Sequence, residues 1–212
     1  MSVASTPYAV MAKRHDSKEE LDFFPTPPWA TRALCNWLLA NDYIYSTDIC
    51  WEPACGAGHM SRTLSEYFAS VYETDINYYG CGVGGIDFLE KSPSNERSLT
   101  SWIITNPPFN KAEEFALRGL EVAHKGVALL VRTSFLEGVG RYNNLFTTNP
   151  PSAVLQFSER VPMHKGRLDP KGSTATSYCW AVWRTPRLPG HTQLHWIKPC
   201  RRSLERMEDY ND

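Results

Sequence analysis

The run Gly126-Val127-Ala128-Leu129-Leu130-Val131 constrains the fold most. Six residues without a charge suit a strand covered on both faces, as happens in a parallel sheet with helices packed on either side. Other apolar runs lie around it, at 48–52, 69–75, a third ending at 85–89, then 101–105, 152–157 and 176–183, the last with period-2 bulk. Between them fall stretches at helical spacing, 30–39, 59–68 and 111–124; in the last, Phe115, Leu117, Leu120 and Val122 stand among charges. Seven strands alternating with helices predict an α/β domain with a mostly parallel sheet.

The connections carry the chemistry. The strand at 101–105 runs into Asn106-Pro107-Pro108-Phe109. Two prolines cannot donate ladder hydrogen bonds, so the strand stops and its lip holds an amide, fixed carbonyls and an aromatic ring. A flat substrate bearing NH2 would meet two acceptors there, the Asn106 oxygen and a main-chain carbonyl, with Phe109 to stack on. Upstream, the strand at 48–52 ends in Glu52 and passes through Pro53-Ala54-Cys55-Gly56-Ala57-Gly58 into a helix. Strand, glycine turn, helix opens a Rossmann-like unit, where glycines let a ligand approach the backbone. Ser61 replaces the third glycine of a pyrophosphate cradle, and Glu52 suits a cationic ligand end. Both points disfavour a nucleotide-dependent dehydrogenase. The next strand ends in Asp75, 17 residues after Gly58 and close to the spacing at which an acid meets a ribose, with Glu73 on the same face as the alternative.

In order, Phe24-x-Thr26-Pro27, Glu52-Pro53-x-x-Gly56-x-Gly58, an acid-ending strand, Asp87-Phe88 and Asn106-Pro107-Pro108-Phe109 resemble the class I AdoMet-dependent amino-type DNA methyltransferases, of the compact stand-alone kind found in bacteria and phages. The resemblance covers roughly residues 22–183. It implies a Rossmann-like class I methyltransferase fold with a seven-stranded sheet, helices on both faces and an antiparallel seventh strand, placed here at 176–183. It also implies S-adenosyl-L-methionine as cofactor, held by Phe24, Thr26, Pro27, Glu52, Pro53, Ala54, Gly56, Gly58, Asp75, Asp87, Phe88 and Asn106. The catalytic residues would be Asn106, Pro107, Pro108 and Phe109, the substrate DNA and the product N6-methyladenine formed on a flipped base. N4-cytosine, an RNA base, a protein glutamine and a noncatalytic binding module are the alternatives. Two residues have plain structural readings beside the implied ones: Thr26 as the N-cap of the helix after it, and Asp87 as the cap of a short following helix.

At 212 residues the chain is read as one domain at 21–184, preceded by a mobile polar arm at 1–20 and followed by a short extension at 185–212 that is basic and then acidic. No apolar run nears the ~20 residues of a membrane span and no signal-peptide core opens the chain, so the expected setting is a cytoplasm, nucleoid-associated, without membrane partners. Six cysteines without metal-ligand spacing predict reduced thiols and no metal. Cys55 is read as loop packing or as a reactive thiol. Net charge is −1, but residues 160–204 hold nine Lys/Arg against Asp169 alone, +8, leaving −9 elsewhere. Such a split points one region at phosphates, with Arg160, Lys165 and Arg167 as the DNA contacts. A monomer or homodimer is expected.

Overall fold

The computed structural model describes residues 23–90, 100–186 and 191–210. The arm expected at 1–20 lies outside them. Seven strands form one sheet: β1 (Ile49–Glu52), β2 (Ser70–Glu73), β3 (Trp102–Thr105), β4 (Gly126–Arg132), β5 (Ala153–Phe157), β6 (Tyr178–Arg184) and β7 (Gln193–Ile197). Their order is β2-β1-β3-β4-β6-β5-β7. All neighbouring pairs are parallel except those of β6, which runs antiparallel between β4 and β5.

The period of two along each strand divides the core into two. Trp102, Ile104, Ala128, Leu130, Trp180 and Val182 face one side, where α1 (Pro28–Ala40) and α2 (His59–Leu64) supply Trp29, Leu34, Leu38, Met60 and Leu64. Ile103, Val127, Leu129, Val131, Ala181 and Trp183 face the other, against Phe115 and Ala116 of α3 (Ala112–Val122). Each face of β3 and β4 is covered, which is why those runs carry no polar alternation.

Three expectations are corrected. The segment at 85–89 is not a strand. Glycines at 80, 82, 84 and 85 interrupt the approach to it, three of them at positive φ, and an isolated bridge, Thr74 to Val83, with bonds from the Gly85 and Ile86 N–H to the Ile76 and Asp75 carbonyls, joins this region to the sheet edge. The antiparallel strand is therefore sixth in chain order. The domain also does not end at 184: β7 adds a strand beside β5, and the segment after it docks on α1. There Arg32, 4% exposed, pairs with Asp209 at 2.7 Å and Glu66 at 2.8 Å and donates to the Leu204 carbonyl at 2.8 Å.

The parallel strands place their carboxyl ends together. The connections after β1, β2, β3 and β4 open at that edge of the sheet, the place where open α/β sheets hold ligands.

Candidate active site

A cavity of about 350 Å³ sits there, bounded by the Phe23–Thr26 segment, the loop after β1, the turn after β2, the Ile86–Leu89 segment and the turn after β3. Its walls include Phe24, Thr26, Glu52, Pro53, Ala54, Gly56, Asp75, Asp87, Phe88, Asn106 and Pro108 of the sequence-derived set. Pro27, Gly58, Pro107 and Phe109 are not among its lining residues. Pro27 is the N-cap of α1, and Thr26 makes no capping bond, so the helix-start reading of Thr26 fails while its side chain lines the cavity. Gly58 is the left-handed N-cap of α2 (φ 80°) and shapes the loop from behind, packed on Cys81. Gly56 (φ 53°) passes under Phe23, whose ring would lie 2.5 Å from any Cβ added there, so this close approach needs glycine.

Three carboxyl groups face the cavity. Glu52, at the end of β1, is 2% exposed and accepts a hydrogen bond from the Ser61 hydroxyl. Burial holds its carboxyl well above the usual carboxylate range; the Ser61 bond opposes this, and the nearby Glu73 and Asp75 charges add to it. Asp75 accepts from the Gly56 N–H at 2.9 Å and the Asn77 N–H at 2.9 Å, tying the glycine loop to the turn after β2. Burial raises its pKa too, against those backbone bonds. Glu73, the alternative acid, does not line the cavity and takes the Cys81 thiol at 3.2 Å. Asp87 accepts the Leu89 N–H at 2.9 Å, so it caps a turn rather than a helix, with its carboxyl at the cavity wall. Phe88 is a core side chain, 5.2 Å edge-on to Trp51 and 5.0 Å from Phe115, with one part at the wall.

Asn106 is the most informative residue. Its Nδ2 donates to the Phe24 carbonyl at 2.9 Å, with the Met163 sulfur at 3.6 Å. Only the nitrogen can donate to a carbonyl, so the oxygen is fixed on the other side. That oxygen is buried and has no partner among the described residues. A buried acceptor left without a donor is an expense that folded chains rarely carry without a use for it.

The turn divides its residues between two spaces. Asn106 and Pro108 line the first, while Pro107 and Phe109 line a second of about 130 Å³ with Arg132, Ser134, Phe135 and Arg141. Phe109 lies 5.3 Å from the Phe24 ring and 6.4 Å from Tyr178, and the Arg132 guanidinium sits 3.9 Å above its centroid. The Pro108 carbonyl is taken by the Lys111 N–H at 2.8 Å.

The three basic candidates are exposed on the connection between β5 and β6. Arg160 bonds the Ser177 hydroxyl, and Arg167 lies 3.6 Å from Asp169. Gly166 N–H donates to the Phe23 carbonyl at 2.8 Å, docking this connection on the cavity wall. The basic region is not one surface: β6 carries Arg184 to the opposite end of the sheet, paired in register with Gly126 at the start of β4. Cys55 is buried and its thiol is pushed up by burial and the surrounding acids, so the packing reading holds. Sequence reasoning missed Phe23, Asn77, Tyr79 and Met60 in the cavity, and Arg132 and Met163 beside the turn. Phe23 stacks on Tyr79 with centroids 4.7 Å apart, a pairing of distant loops with no local signal.

No family model matches the chain, and no curated protein matches it by sequence. Solved structures do. A methyltransferase subunit of a type I restriction-modification system from Streptococcus thermophilus superposes with TM-score 0.60 at 11% identity, over 77% of this chain and 45% of that one. A Listeria monocytogenes protein, provisionally described as a class I S-adenosylmethionine-dependent methyltransferase, gives 0.59 at 9% identity, over 81% and 65%. A Pyrococcus horikoshii protein, provisionally described as an RNA methyltransferase, gives 0.57 at 17% identity, over 79% and 89%. The chain thus spans well under two thirds of the restriction subunit and just under two thirds of the Listeria protein. These likenesses show the fold, the Rossmann-like α/β fold of class I methyltransferases. Among the described residues no helix is long and apolar enough to cross a membrane.

Proposed function

We propose that the chain is an AdoMet-dependent methyltransferase acting on the exocyclic N6 amino group of adenine in DNA. The observation that carries this reading is the buried, unpartnered Asn106 oxygen at the wall of the cavity.

The cavity's residues fit AdoMet. Its volume lies within the roughly 300–1,000 Å³ of small-molecule sites. Glu52 suits the ammonium of the methionine end, Asp75 the ribose hydroxyls, and Asp87 with Phe88 the adenine amino group and ring. Gly56 lets the loop pass under the Phe23 ring, which lines the same cavity. Bound there, AdoMet supplies an electrophilic methyl group on a sulfonium leaving group.

The chain's own work is on the acceptor. Asn106 Oδ1 accepts a hydrogen bond from one amino N–H and the Pro107 carbonyl from the other, aiming the nitrogen lone pair at the cavity; after the methyl is transferred and the thioether leaves, the nitrogen loses one of these protons to solvent. The amino nitrogen gains positive charge during transfer, and the two acceptors stabilise that charge. Phe24 contributes through its carbonyl, which holds the Asn106 amide in the one orientation that leaves the oxygen for substrate. Phe109 supplies a ring face for the base. A base in duplex DNA must leave the stack to reach this turn. The Phe24-x-Thr26-Pro27 motif and the exposed Arg160, Lys165 and Arg167 support DNA as the polymer, and adenine follows from the resemblance.

The test is methyl transfer from labelled AdoMet to unmethylated duplex DNA, single-stranded DNA and RNA, read by nucleoside mass spectrometry. N6-methyladenine from DNA is the expected product. N4-methylcytosine would replace the base, label in RNA alone would replace the polymer, and no product on any of them would overturn a nucleic-acid substrate.

A further inference from the structure

We propose that Arg132 is a stand-in for the substrate base: in the free protein its guanidinium covers the ring of Phe109, and when a base takes that face the guanidinium moves to the adjoining phosphate. The inference deepens the nucleic-acid reading above and rests on it.

Arg132 closes β4, and it is exposed where the six residues before it are buried. Its guanidinium carbon lies 3.9 Å from the Phe109 centroid, a stacking distance, so no other ring can occupy that face while it stays. Among the described residues no carboxylate forms an ion pair with it. A strongly charged group held at the mouth of a site by an aromatic face and the Tyr178 hydroxyl, with no carboxylate to neutralise it, is poised to exchange one partner for another. The exchange runs downhill, because an exposed cation–π contact is weaker than base–aromatic stacking and the freed guanidinium gains a phosphate oxygen. Shape favours it as well. The guanidinium is planar and delocalised like the heterocycle it would yield to, a match the lysine ammonium lacks.

The other arginine of that cavity, Arg141, is committed elsewhere. Arg141 donates to the Glu137 carbonyl at 2.8 Å and the Ser134 carbonyl at 3.3 Å, bracing the wall of the second cavity. Arg160 is tied to Ser177, whose carbonyl takes the Thr133 N–H at 3.0 Å, one residue from Arg132. Tyr178 stands opposite Arg132 in the β4–β6 register and closes the aromatic cluster from behind. Arg132 and Arg141 thus line one opening together with Phe109.

The test compares Arg132→Gln and Arg132→Lys with the wild-type full chain, using AdoMet and duplex DNA. Arg132→Gln is expected to raise KM for duplex roughly tenfold while kcat changes by less than about threefold, and to flatten log KM against log salt by about 0.9, one phosphate contact. Arg132→Lys is expected to keep the salt slope, because the charge remains. AdoMet affinity by calorimetry should be the wild-type value in both, since Arg132 does not line the AdoMet cavity. An unchanged KM and salt slope in Arg132→Gln, with a lowered Tm, would make Arg132 a prop for Phe109 and overturn the proposal. Absence of transfer by the wild-type chain to any nucleic acid, with AdoMet still bound, would bring down the nucleic-acid reading itself, a result separable from the first.

Discussion

Replacing Glu52 by Gln should stabilise the fold and weaken AdoMet binding, and the two effects come from one cause. The carboxyl is 2% exposed, has the Ser61 hydroxyl as its side-chain donor, and faces Glu73 in the β1–β2 register with Asp75 beyond. Burial raises its pKa well above the usual range, so the folded chain holds a proton that the unfolded chain has released. Between an ordinary carboxylate pKa of about 4.3 and the raised folded value, that single proton makes wild-type stability fall by about 1.4 kcal/mol per pH unit. The contribution is fully present below the unfolded value and lost as pH rises through the window. Glutamine does not titrate, so the stability difference between variant and wild type should widen by about 1.4 kcal/mol per pH unit. In a domain of this size that corresponds to about 3–5 °C of Tm per pH unit. Urea denaturation of both chains at pH 4, 5, 6 and 7 measures it. Binding should move the other way. An ammonium brought beside Glu52 favours the ionised form, so wild type should release a proton on taking up AdoMet, visible by calorimetry in buffers of different ionisation enthalpy. The variant should bind more weakly and release none from this site. Parallel stability curves from pH 5 to 7 would mean that Glu52 is already ionised in the fold, and the reasoning would fail at its first step.

Three other changes test the site and its support. Asn106→Ala should lower kcat by about 10²–10³ while AdoMet affinity stays within a few-fold, read by turnover and calorimetry on the same sample. Asn106→Asp places a carboxyl oxygen against the Phe24 carbonyl, where only the protonated acid can donate, so its residual activity should rise as pH falls from 8 to 5; a profile parallel to wild type would contradict the assigned amide orientation. Asp209→Ala leaves the buried Arg32 with Glu66 and the Leu204 carbonyl and should cost about 2 kcal/mol in urea denaturation, because two charge-assisted hydrogen bonds of the guanidinium go unmade in the interior.

The sheet was legible wherever both faces are covered. β3 and β4 read directly as apolar runs, because parallel strands under helices cannot alternate. β7 was missed for the opposite reason: Gln193, Leu194 and Trp196 are exposed on an edge strand, and a chain that rich in polar and basic residues looks like an extension. The strand expected at 85–89 failed because the glycine-rich approach to it satisfies its backbone in turns. In the site, motifs built by local turn chemistry were visible, Gly56 and Asn106 above all. What stayed hidden depends on meetings across the fold. Arg32 is the one charge in its helix and reads as a surface residue until Asp209, far along the chain, arrives to bury it. Arg132 reads as the polar end of a strand, and nothing within its own segment reveals that it lies over Phe109.

The hydrogen bonds around Asn106 also bear on attempts to change what the chain recognises. The basic connection between β5 and β6 is an obvious piece to exchange between relatives. Yet Met163 touches the Asn106 amide and the Gly166 N–H anchors the Phe23 carbonyl, one residue from the carbonyl that orients that amide. A grafted connection lacking those two contacts would bring in new basic side chains and at the same time loosen the Asn106 amide. Such chimeras should separate into binders that do not methylate and, where Met163 and Gly166 are carried along, enzymes with an altered target. The β5–β6 connection and the Asn106 amide are thus tied through the Phe23 and Phe24 carbonyls, and should be transplanted as one part.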